Sequence, residues 1–211
     1  MDYPDFTRAF EDGREFGEDE RRATVHSHRV ADLIVPSGYV VACDPLVVPE
    51  QAAFDTEVAP GRYPVILSVA QFRANGDRRV AYAMLRFNVR DPLRWVMATR
   101  PGQDVLSLPP GRVFCYGVDS GTGCFMDAAA ARALRARLDG DAGFSQAIIA
   151  ELEQTYTPTW DWANVELDPA SGVNLVCFHS GFGDGCYASY FGLDAQGAPA
   201  CLVTDFGVVT L

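Results

Sequence analysis

The chain has 211 residues (23.0 kDa), is 48% hydrophobic, and carries a formal net charge of −11. That mixture excludes a disordered chain, and no apolar run reaches the roughly 18 residues a membrane helix needs. All 17 basic residues are arginine, the last at Arg137, and residues 138–211 hold ten acids and no arginine. This excess of negative charge repels a nucleic-acid backbone. The acids of the last third are expected to pair in space with arginines from earlier in the chain, the alternative being a negative surface aimed at a cationic partner or a metal.

In chain order, Asp2 to Arg22 is charged, with Phe6 and Phe10 at i, i+4 spacing, which predicts a short N-terminal helix that docks two rings. The acidic, interrupted N-terminus lacks the pattern of a secretory signal, so the expected compartment is the cytoplasm. His26 and His28 alternate on one strand face, a spacing that suits a metal but has no third ligand nearby. A solvated pair is therefore expected. Residues 1–37 read as a helical arm packed on a single β-rich domain of residues 38–211.

GYVVAC, residues 38–43, reads as a buried strand ended by Asp44-Pro45. Phe54, Thr56 and Val58 alternate with charged neighbours, as on an exposed strand, before Pro60-Gly61 turns the chain. Tyr63 to Ala70 and Arg79 to Val89 form the clearest strand pair, with Asn75-Gly76 between them as the type I′ hairpin signal. Pro92 to Met97, with Trp95, adds a strand. Arg112 to Val118 is a further buried strand that runs into Asp119-Ser120-Gly121-Thr122-Gly123.

The period then changes. Asp127 is a good N-cap for a helix with Leu134 and Leu138 on one face, Arg135 and Arg137 in its last turn, and Gly140 as its stop. A second helix is expected from a cap at Ser145, stapled by Phe144 and Ile149, with Ile148, Leu152 and Tyr156 on its core face and Pro158 at its end. Trp160 and Trp162 precede a strand at Asn164 to Leu167 and are expected to pack over a sheet edge.

The last stretch, Asn174 to Phe206, reads strand, glycine-rich turn, strand, tight turn, strand. Ser180-Gly181-Phe182-Gly183-Asp184-Gly185 sets an acid among three glycines. At least one of these glycines is expected at positive φ, where a Cβ is costly. Asp194-Ala195-Gln196-Gly197 has the residues of a type I turn with a bulge. The predicted fold is α+β, a mostly antiparallel sheet that is sandwich-like or a half-barrel, with two helices between Asp127 and Tyr156.

The six cysteines (43, 115, 124, 177, 186 and 201) show no Cys-x-x-Cys spacing and sit mostly in apolar strands. They are expected to be reduced and structural.

The two glycine loops admit three readings. Gly-Val-Asp-Ser-Gly-Thr-Gly at 117–123 resembles the first phosphate loop of the actin-like sugar kinases, but the chain is short for that fold and holds no lysine to meet a phosphate. Alternatively, Asp119 and Asp184 converge, share a proton or bind Ca²⁺ or Mg²⁺, and have Ser120, Thr122, His179, Ser180 and Tyr187 as polar neighbours and Asp127 and Asp205 close by. His179 would be a general base and Ser180 a nucleophile, although neighbours on a strand point to opposite faces. In the third reading the aspartates cap their own turns.

The segments GYVVACDPL, PGRYPVILSVA, RVAYAMLRF, YGVDSGTGCFMD and SGFGDGCYASYFGLDAQGAPACLVTDF resemble an uncharacterised bacterial family known only as a domain of unknown function, the DUF4241-type family. The resemblance spans about residues 38–209 and implies a soluble single-domain protein, with no activity and no catalytic residues to transfer. The leading functional expectation is a binding module whose acidic face holds a basic protein, as immunity proteins hold basic toxins. No cofactor is expected for that role. The alternative is a metal- or carboxylate-dependent hydrolase working at Asp119 and Asp184.

Overall fold

The computed structural model describes residues 3–47 and 51–211. Among them the apolar runs become two antiparallel sheets stacked face to face. The larger sheet is built from β1 (Glu15–Phe16), β2 (Ala23–Val35), β4 (Gly61–Phe72), β5 (Arg78–Arg86), β12 (Pro199–Asp205), β11 (Gly185–Leu193) and β6 (Arg94–Met97), in that spatial order, with β7 (Tyr116–Val118) also pairing β11. The smaller sheet has the order β3 (Val40–Cys43), β8 (Thr122–Asp127), β10 (Val173–His179) and β9 (Trp162–Asp168). Helices α1 (Ala128–Gly140) and α2 (Phe144–Thr155) follow β8. The architecture is α+β and sandwich-like.

Strand alternation sorts the side chains into three apolar layers. Leu67, Leu85, Phe191 and Leu202 of the larger sheet meet Ala42, Phe125, Val176 and Phe178 of the smaller one to form the central core. Cys43, Cys124, Leu175 and Cys177 point the other way, against Leu134 of α1 and Phe144, Ile148 and Leu152 of α2. The outer face of the larger sheet is covered by the chain's ends. Phe6 stacks on Tyr190 at 4.6 Å and meets Trp95 edge-on at 5.0 Å, and Val209 packs nearby. No helix among the described residues is long and apolar enough to cross a membrane.

The N-terminal helix expected from Phe6 and Phe10 is one 3-10 turn, Phe6–Phe10, capped by Asp5. Ala23–Val35 is a long strand paired with β4 along its length. Asp127 caps α1 as expected. Its Oδ1 accepts from Ala129 N at 2.6 Å, and Oδ2 also takes Ser37 N at 2.9 Å. The turn at 194–197 closes with Gly197 N donating to Asp194 O at 2.9 Å, Gly197 at φ +77° and a register shift after Gly192.

Other expectations are corrected. Residues 54–58 form no strand. Phe54 and Val58 are buried, and their amides donate singly to Val40 O and Gly38 O, so the alternation marked an extended segment lying across β3. The β4–β5 connection is no type I′ turn. Of its residues only Gly76 has positive φ, and Gly76 N reaches back to Phe72 O across a wider loop. α2 begins at Phe144, one residue before the expected Ser145 cap, and Gly143 precedes it with no side-chain cap. Phe144 is buried under the Arg137 guanidinium, 5.3 Å from its ring, and this packing replaces the staple. Tyr156 lies past the helix end and is 56% exposed rather than in its core face. Only Tyr116–Val118 of the segment expected at 112–118 pairs as a strand.

The cysteines split. Cys43, Cys124, Cys177 and Cys201 are free and buried, but Cys115 and Cys186 form a disulfide, against the expectation that all six are reduced. The register explains the pair: Cys186 sits opposite Gly117 on adjacent strands, so the residue just before β7 falls beside it. Their Cα atoms are 5.4 Å apart, within the range a bridge needs.

Candidate functional site

Antiparallel pairing brings four chain segments to one end of the smaller sheet. Cys43 lies opposite Cys124, Thr122 opposite His179, and Trp162 opposite Phe178. Asp44, loop 119–121, loop 180–184 and Asp161 are therefore neighbours there. The two glycine loops touch through their backbones: Ser180 N donates to Gly121 O at 3.0 Å, and a Cβ on Gly121 would lie 3.8 Å from Gly183 Cα.

The first loop is organised by a residue that sequence reasoning treated only as a strand terminator. Asp44 is fully buried. Its Oδ2 accepts from Asp119 N at 3.0 Å and Ser120 N at 2.8 Å, and its Oδ1 from Ser120 Oγ at 2.8 Å, Leu46 N at 2.9 Å and Val47 N at 3.2 Å. Five donors on one carboxylate satisfy its lone pairs and hold the loop to β3. The Asp44-Pro45 pair after a buried strand was the available signal, since Asp in that position turns its side chain onto following amides.

The second loop closes on itself. Ser180 is fully buried, and its Oγ donates to Gly183 O at 2.9 Å; Tyr187 Oη donates to the same carbonyl at 2.7 Å. Gly181 has φ +61° and Gly183 φ +110°, as the turn required. At Gly181 a Cβ would also come within 2.9 Å of Val208 Cγ2 and 3.0 Å of Phe206 Cβ. Phe182 stands out at the tip, 61% exposed, with the Arg79 guanidinium 5.5 Å from its ring.

The two aspartates of these loops do not cap their turns. Asp119 and Asp184 are both exposed, and neither carboxylate accepts a hydrogen bond from the described residues, so the turn-capping reading is corrected: Asp44, Ser180 and Tyr187 close these turns instead. Asp127 lies at the far end of β8 as the α1 cap. Among the described residues no three His, Cys, Asp or Glu side chains are close enough to hold a metal.

Thr122 is buried at the start of β8. Its pairing partner His179 points to the helix side of the sheet, with Nδ1 4.0 Å from Asp161 Oδ1, too long for a hydrogen bond. Burial pushes His179 down and Asp161 up, and their mutual attraction opposes both shifts. Ser180 faces away from this pair, as strand alternation required. His26 is half exposed, 3.4 Å from the carboxylate of Asp12, and His28 packs 4.9 Å from the Trp160 ring.

A family model described as protein of unknown function (DUF4241) matches residues 33–204. No curated protein and no solved structure matches the chain. The matched span runs from the end of β2 to the end of β12 and holds both helices and both glycine loops, so this chain belongs to the DUF4241 family of proteins of unknown function.

Proposed function

We propose that the protein is a non-catalytic binding module that holds a basic protein partner through the carboxylates of α2 and β9. One observation carries this reading. Glu151 and Glu153 of α2 and Glu166 of β9 are exposed, make no ion pair among the described residues, and lie on two packed elements that contain no arginine. Some other acids of the last third are offset. Asp194 pairs with Arg90 and Asp139 with Arg135, each at 2.8 Å, while Asp205 is half-buried. The acidic surface is thus narrower than the sequence distribution implied.

The loop chemistry points the same way. The two serine hydroxyls at the glycine loops are committed to Asp44 and to Gly183 O. A hydrolase with a serine nucleophile at these loops would need one of those hydroxyls free to attack. An immunity-like capture of a basic protein needs only an exposed, unpaired negative surface that steers association.

A poly-arginine peptide is the probe. Its affinity is expected to fall as ionic strength rises from about 50 to about 200 mM. The triple variant Glu151→Gln/Glu153→Gln/Glu166→Gln should bind roughly ten-fold more weakly. The control Glu18→Gln/Glu20→Gln, in the β1–β2 connection, should bind nearly as the wild type does. Equal loss in the two variants, or affinity indifferent to salt, overturns the reading.

A further inference from the structure

The six cysteines sit in two kinds of surroundings. Cys43, Cys124, Cys177 and Cys201 are fully buried. Burial pushes the Cys124 thiol well above its usual range and Cys177 and Cys201 up to about 12. A buried thiol of this kind stays protonated and out of reach of other sulfur compounds. The Cys115–Cys186 bridge is instead at the surface, with Cys186 exposed and Cys115 half-buried.

The two sulfurs of the bridge are not equivalent. Cys186 stands on β11 beside Gly185 and Asp184, which are exposed as well. Cys115 lines a small pocket together with Arg100, Gln103 and Tyr116. Arg100 pairs with no carboxylate among the described residues, and with Nη2 given to Ala42 O its Nε–H has no partner. A neighbouring guanidinium favours a thiolate over a thiol. In thiol–disulfide exchange the accessible sulfur is the one attacked, and the better-stabilised thiolate leaves faster. Access and charge therefore select the same direction.

The chain before Cys115 has little else to fasten it. Hydrogen bonds of residues 101–114 stay within residues 100–114, except that Phe114 N donates to Met97 Sδ at 3.3 Å. Val105, Leu108 and Phe114 rest on the outer core, while Leu106 and Arg112 are exposed.

We propose that the Cys115–Cys186 bridge is a thiol-exchange site for low-molecular-weight thiols, entered at Cys186 and released at Cys115. The thiolate of the small thiol attacks Cys186 Sγ and forms a new sulfur–sulfur bond there. The Cys115–Cys186 bond breaks, and its electron pair leaves on Cys115 Sγ in the pocket of Arg100. A second small thiol then displaces Cys186. One external disulfide has formed, the bridge has gained two electrons, and the two cysteines have taken up the protons of the two thiols. With Cys115 free, residues 101–114 are unlatched at their C-terminal end. The site shares no residue with the α2–β9 surface, so it stands or falls independently of the proposed function.

The test exposes the native protein to reduced glutathione, quenches with an alkylating agent and maps the peptides by mass. Glutathione is expected on Cys186 and the alkyl group on Cys115, with the four buried cysteines unmodified. Trypsin should cleave after Arg112 about ten-fold faster once the bridge is reduced, with cleavage elsewhere unchanged. Arg100→Gln should slow the first exchange about ten-fold, because the leaving thiolate loses its cation. If that variant does not fold, the position of glutathione in the wild type decides. Glutathione on Cys115, or equally on both cysteines, overturns the proposal. So does a bridge reduced no faster than the protein unfolds globally, an unchanged exchange rate in folded Arg100→Gln, or unchanged cleavage after Arg112.

Discussion

At the residue scale, three aspartates near the glycine loops have the same side chain and different environments. Asp44 is buried and accepts five hydrogen bonds, whereas the side chains of Asp119 and Asp184 are exposed and accept none from the described residues. Removing a buried carboxylate strands the amides it satisfied, so Asp44→Ala should cost about 3 kcal/mol or more in denaturant unfolding. Asp119→Ala and Asp184→Asn should stay within about 0.5 kcal/mol of the wild type. A neutral Asp44→Ala would show that the first loop is held some other way.

Asp205, at the end of β12, is the counterpart with an unfavourable environment. Burial raises its carboxyl from 3.8 to about 6, against the hydrogen bond from Gly207 N at 2.7 Å. The folded chain keeps the proton over a pH range where the unfolded chain has lost it. The stability linked to that proton is therefore complete below the unfolded value, declines as pH rises to about 6, and is flat above. Asp205→Asn keeps an acceptor for Gly207 and removes the charge. At pH 7 it should stabilise the protein by about 1–3 kcal/mol, and at pH 3 much less. A wild-type-minus-variant difference that does not change between pH 4 and 6 would refute this.

At the element scale, what separates correct from corrected expectations is how local the deciding interaction is. The α1 cap and the 194–197 turn are closed by groups within a few residues, and both formed as their residues required. The β4–β5 loop carried the Asn-Gly signal, but four residues separate Phe72 from Asp77, and the strand twist is met by a wider loop with Gly76 alone at positive φ. Phe54 to Val58 had strand alternation, yet Phe54 makes a single ladder-like bond to β3 and turns its ring towards Phe191, 6.0 Å away. Burial of the ring, not sheet pairing, set that segment's conformation.

At the scale of the whole molecule, the disulfide ties the end of an irregular segment to a central strand. Cys115 and Cys186 are 71 residues apart in sequence. In the chain-entropy account, closing a loop of that length takes about 4 kcal/mol of conformational freedom from the unfolded state. Unfolding in reductant, or of Cys115→Ala/Cys186→Ala, should therefore occur at lower denaturant by a comparable free energy. No difference between reduced and oxidised protein would mean that the bridge constrains nothing the sheets do not already hold. The net charge of −11 is likewise a whole-molecule quantity. Folding places part of the arginine-free C-terminal third against arginines from earlier in the chain, as in the Arg90–Asp194 pair, and leaves α2 and β9 as an acidic remnant.

The sequence by itself determined the class of the fold, most of the strands, α1 with its cap, the 194–197 turn and the left-handed glycines at 181 and 183. Each of these is set by periodicity or steric limits acting over a few residues. It also marked both glycine loops, which the smaller sheet does bring into contact. Only the tertiary structure decided that Asp44 anchors loop 119–121 from 75 residues away, that Cys115 meets Cys186, and that Arg100 Nη2 bonds Ala42 O. Those outcomes depend on strand order and register, which are fixed by burial across distant segments, and no short window of sequence contains both partners.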